Sequence, residues 1–60
     1  MSPEDLARRF HETYERLAPA FGYKTRAASR VAWADVPQTN RALMIAVCET
    51  LLQEITNDRT

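Results

Sequence analysis

The sequence predicts a mainly α domain, two antiparallel helices joined by a long irregular connection with room for a short hairpin. Three observations carry this. Residues 3–17 place apolar side chains at three- and four-residue steps behind a helix-start signal. Residues 36–56 do the same over a longer run. Between them, residues 22–35 hold the only glycine and have no clean period. Sixty residues make one domain, 1–60, with no internal repeat or low-complexity linker.

The first helix starts at Ser2-Pro3-Glu4-Asp5. Serine caps, proline at the first helical position forgoes an N–H that has no partner there, and acids suit the positive helix end. Leu6, Phe10, Thr13, Tyr14 and Leu17 fall on one side and form the expected core face. Glu4/Arg8, Asp5/Arg9 and Glu12/Arg16 are spaced i,i+4 with the acid first, each pair adding roughly 0.2–0.5 kcal/mol. Pro19 is expected to push Ala18 out of helical dihedrals and end the helix, with a short turn returning Phe21 to the core. Gly22 is placed to adopt a left-handed conformation.

In the connection, Val31 and Trp33 alternate with Ala32 and Ala34, a spacing that allows an extended piece paired with residues 23–26. Asp35 caps the second helix in this reading, with Gln38 three residues on as in a capping box and Pro37 in the tolerated first turn. Met44, Val47, Cys48, Leu51 and Ile55 form its stripe. Leu43 lies at one edge and Ile45 and Leu52 at the other, so the apolar arc spans about 200°, wider than one partner helix covers. Trp33 is expected to pin the connection over one end of the helix pair.

A lone chain of this size buries only about 60% of its unfolded surface and needs further support. One cysteine allows no intrachain disulfide, and one cysteine with one histidine cannot complete a four-ligand zinc site. Self-association remains, and a homo-oligomer is expected, with Leu43, Ile45 and Leu52 as interface candidates. There is no apolar run of membrane-spanning length and no signal-peptide pattern, so a cytoplasmic protein is expected.

Eight bases balance eight acids. The sum hides a pattern. Residues 22–41 carry Lys24, Arg26, Arg30 and Arg41 against Asp35, while both flanks are net acidic. No catalytic constellation, metal motif or phosphate-cradling glycine loop is present, so no enzyme and no cofactor are expected. Zero net charge and a long inter-helix connection also argue against duplex nucleic acid. Cys48 falls mid-stripe, where an inert buried thiol is the ordinary state. His11 lies at the border of the apolar face, where a structural or ligand contact is commoner than catalysis.

The cationic segment is the one functional signal. Arg26 and Arg30 suit phosphate, Lys24 adds charge, and Thr25 and Ser29 supply hydroxyl donors. Tyr23 is placed to stack, Trp33 serves core or site, and Arg41 sits a turn into the second helix. A phosphate-containing small molecule, most simply a nucleotide, is the expected ligand. A protein-interaction module is the alternative, resting on surplus apolar helix surface and the lack of catalytic groups.

The runs 9–19 (RFHETYERLAP) and 21–26 (FGYKTR), with 33–37 (WADVP) and 40–44 (NRALM), resemble small open reading frames of bacteriophages. That resemblance implies host cytoplasm as the setting, and suggests counter-defence, for example sequestering a nucleotide immune signal. His11-Glu12, Trp33 three residues before Val36-Pro37, and Arg41 resemble the short repeat domain of ryanodine receptors and its prokaryotic relatives. This second resemblance implies a compact helical recognition module, with Trp33 and Arg41 near the recognition surface.

Overall fold

The computed structural model describes residues 1–27 and 30–58. It is mainly α, with α1 (Pro3–Leu17) and α2 (Gln38–Asp58) joined by a connection that includes two 3-10 turns, Ala18–Phe21 and Trp33–Asp35. The helices run antiparallel. Pro3 shares a surface hollow with Leu52 and Thr56, and Tyr14 shares another with Asn40. Among the described residues there is no strand, so the expected hairpin is absent there. No described helix is long and apolar enough to cross a membrane.

α1 begins and ends where the sequence places it. Ser2 is extended, and its hydroxyl accepts the Asp5 N–H at 3.1 Å. Ala18 differs from expectation. Its dihedrals remain helical (φ −53°, ψ −44°), and its N–H bonds the Tyr14 carbonyl. The chain tightens into a 3-10 turn instead of leaving the helix at once, and burial of Ala18 against the body holds it despite the pre-proline preference. Gly22 then closes the turn at φ +78°, its N–H bonding the Pro19 carbonyl at 3.1 Å. Phe21 does not return to the core; it is 75% exposed.

α2 starts at Gln38, two residues later than expected, and Asp35 does not cap it. Asp35 belongs to the second 3-10 turn, its N–H bonding the Ala32 carbonyl at 2.8 Å. The cause is Pro37. A residue before proline is driven out of the helical region, and Val36 is extended (φ −65°, ψ 136°). The first turn therefore forms behind the proline, with the Arg41 N–H on the Pro37 carbonyl at 3.0 Å.

The core is small: Ala7, Trp33, Val36 and Cys48, with Leu6, Met44 and Ile45 packed against it. Trp33 shares this core with Ala7 and Cys48, each near the middle of its helix, and its ring lies against His11. α1 buries Ala7 and His11, not the stripe of large side chains beside them; Phe10, Tyr14 and Leu17 are exposed. α2 behaves alike. Cys48 is buried and Ile45 and Leu52 are half-buried, whereas Leu43, Val47, Leu51 and Ile55 are exposed. Two of the three expected interface candidates, Ile45 and Leu52, thus face inward. Small residues fill the helix seam because it has to admit an indole from the connection as well as two helices.

Candidate functional site

Near the C-terminal end of α1 the first half of the connection folds back over the helix. Thr25 is half-buried there, and its hydroxyl donates to Glu15 Oε1 at 2.7 Å. Lys24, Thr25 and Arg26 border a hollow of about 330 Å³ with His11, Tyr14, Glu15 and Asn40. Arg30 and Tyr23 border a second, of about 210 Å³, that shares Glu15, Lys24 and Thr25 with the first. The structure therefore gathers Tyr23, Lys24, Thr25, Arg26, Arg30 and one edge of His11 around one carboxylate. Asn40 brings the first turn of α2 to the rim.

Three expected site residues stand apart. Trp33 is 7% exposed and belongs to the core. Arg41 borders neither hollow; it is half-buried on α2, and its Nε is enclosed without a hydrogen-bond partner. Ser29 lies outside the described residues.

His11 is 5% exposed. Its Nε2 lies 2.7 Å from the Val31 carbonyl, which only accepts, so that nitrogen carries the proton and donates. Its ring tilts at 54° against Trp33, centroids 5.9 Å apart. The border position read from the sequence is an interior one, with a partner twenty residues away. His11 ties the connection to α1, and the work it does there is structural.

Two features escaped sequence reasoning. Glu15 sits among the cations and offsets part of their charge, although its spacing from Thr25 gives no sign of the contact. The second feature is a shallow apolar groove of about 540 Å³ on the outer side of α1, walled by Phe10, Tyr14, Leu17, Phe21 and Tyr23. Phe10 and Tyr14 stack across its floor, centroids 5.8 Å apart. Its signal was present, since Ala7, His11 and Ala18 also follow helical spacing and form a second stripe beside the first. Among the described residues no group of three or more His, Cys, Asp or Glu is placed to hold a metal ion. Comparison with known proteins finds no matching family model, no matching curated protein and no matching solved structure.

Proposed function

We propose that this chain is a non-enzymatic recognition module that works by docking to a protein surface through the apolar side of its helix pair. One observation carries the reading. Most of the large aromatic and aliphatic side chains stand outside, and the fully buried positions are held by Ala7, His11, Ala18, Trp33, Val36 and Cys48, with Leu6, Met44 and Ile45 only half-buried against them. Four half- to three-quarters-exposed aromatic residues, Phe10, Tyr14, Phe21 and Tyr23, present roughly 500 Å² of mostly apolar surface before any aliphatic residue is added. The largest apolar patch on a monomer is commonly about 300–600 Å² and often functional, and here the aliphatic side chains of the helix pair add to it. The resemblance to phage open reading frames makes a host or phage protein the natural partner. The test is co-purification of the tagged chain from host cells, beside Tyr14→Asp and Leu51→Asp variants and an Arg30→Ala control. One stoichiometric partner, kept by the control and lost by both face variants, supports the reading. No partner in any preparation counts against it.

The cationic hollow supports a second reading, capture of a phosphate-containing small molecule. Lys24, Thr25, Arg26, Tyr14 and Asn40 meet in a space of a size that small ligands occupy. Glu15 and the engaged Thr25 hydroxyl weigh against it, because an arriving anion must displace or face a carboxylate. Thermal-shift titration with inorganic phosphate and with mono-, di- and cyclic nucleotides decides it. A ligand at about 100 times its dissociation constant adds roughly 2.7 kcal/mol, and Arg26→Ala should abolish the shift. No shift with any of them ends this reading.

A further inference from the structure

The chain forms a flattened body, 39 × 26 × 15 Å along its principal axes. The two helices pack side by side as one layer, with the connection laid on it. Globular domains bury their apolar faces between two layers. The radius of gyration is 12.8 Å, against about 10 Å for a compact chain of this length. The accessible surface tells the same story in area. A compact monomer of 6.9 kDa exposes about 4000 Å². This chain exposes 4911 Å², an excess of about 900 Å².

Part of the exposed apolar surface is arranged in two flanks. At about 100° per residue, Phe10, Tyr14 and Leu17 flank the buried stripe of α1 on one side, and Val47, Leu51 and Ile55 flank that of α2. Because the helices are antiparallel, both flanks open to the same side of the plate. Phe10 and Tyr14 share a hollow with Met44, one turn before Val47 on α2, and Val47 and Leu51 border a separate hollow further along that helix. All six side chains are 46–58% exposed.

We propose that a second copy of this chain covers this face, giving a two-fold dimer in which the two plates close into a four-helix bundle. This rests on the reading of the face as a protein-docking surface, and names its occupant. Area selects that occupant. A stable interface takes about 800 Å² from each partner, close to the surplus, and a like plate offers a matching flat apolar face of the same outline. Charge does not select against it. The chain is neutral overall, and the hollows around these six side chains are bordered by both signs, Arg9, Lys24 and Arg26 beside Glu15 and Glu54. A two-fold axis lying in the face also sets every helix antiparallel to its neighbours, the arrangement of simple four-helix bundles.

The experiment is sedimentation equilibrium of the wild-type chain from about 1 to 100 µM, beside Leu51→Asp, Tyr14→Asp and a Glu12→Ala control on the far side of α1. The wild type and the control should sediment at twice 6.9 kDa. Each face variant should raise the dissociation constant at least about 100-fold, because the two-fold places the new charge in the interface twice. If a variant fails to fold, the wild type alone decides: its melting temperature should rise with chain concentration, and a constant value overturns the proposal. A wild-type monomer at 100 µM, a trimer or larger, or a dimer untouched by both variants overturns it too. A monomer whose face variants still lose a co-purifying host protein leaves the docking-face reading standing without self-association. A monomer that captures nothing sinks both.

Discussion

Replacing His11 with leucine tests whether one hydrogen bond holds the connection to α1. Leucine keeps the apolar bulk beside Trp33 and removes the Nε2 donor 2.7 Å from the Val31 carbonyl. Leaving a buried carbonyl without its donor costs about 1–3 kcal/mol. Val31 is only partly covered, so water can reach its backbone once the loop lifts, and the low half of that range applies. Loss of the tilted ring contact adds about 0.5–1.5 kcal/mol. The sum, about 1.5–3.5 kcal/mol, is a large part of the roughly 3–9 kcal/mol that a 60-residue domain holds. Urea unfolding at fixed chain concentration measures it, followed by far-ultraviolet circular dichroism for the helices and by fluorescence of Trp33, the single tryptophan. The midpoint should fall in both signals, with the Trp33 emission already red-shifted before the main transition as the connection lifts. His11→Gln, which offers an amide donor at similar reach, should recover part of the loss. A His11→Leu midpoint within experimental error of wild type, with unshifted emission, refutes the tether.

Three further outcomes are expected. Gly22→Ala should cost about 1 kcal/mol in urea unfolding: a side chain at φ +78° is strained, yet nothing lies within 4 Å of the new Cβ, so no clash adds to the strain. Ser2→Ala removes the oxygen that accepts the Asp5 N–H and should destabilise by about 1 kcal/mol, read as earlier fraying of α1 in amide exchange. Cys48, 7% exposed in the core, should react with a thiol reagent on the order of 100-fold more slowly in buffer than in denaturant; equal rates would place it on the surface.

The helices were legible because local chemistry writes their ends. Ser2, Pro3 and Gly22 act on their own backbone, and the structure uses each as expected. Proline effects were half legible. The start of α2 slipped because Pro37 was read for its own tolerance in a first turn, while its stronger effect falls on Val36 before it. The choice of buried face was not legible, because helical spacing identifies stripes without ranking them. The larger stripe of α1 looked like the core face. Trp33, which had to enter the seam, made the alanine side the better fit, and that is a tertiary fact. Of the cationic segment, Lys24, Arg26 and Arg30 border adjoining hollows and Arg41 does not, and Glu15 reaches them through a fold-back that spacing does not encode.

The alanine and cysteine seam has an evolutionary corollary. Where the large apolar residues stand outside the single chain, exposure ceases to measure freedom to vary. If the plate is covered in the cell, Phe10, Tyr14, Val47 and Leu51 are under the same selection as Ala7 and Cys48, and drift should concentrate at Glu12, Arg16 and Gln53. Size should be constrained in opposite senses on the two stripes: upward limits at Ala7, where a larger side chain wedges the helices apart, and downward limits at Phe10 and Leu51, where a smaller one leaves a void.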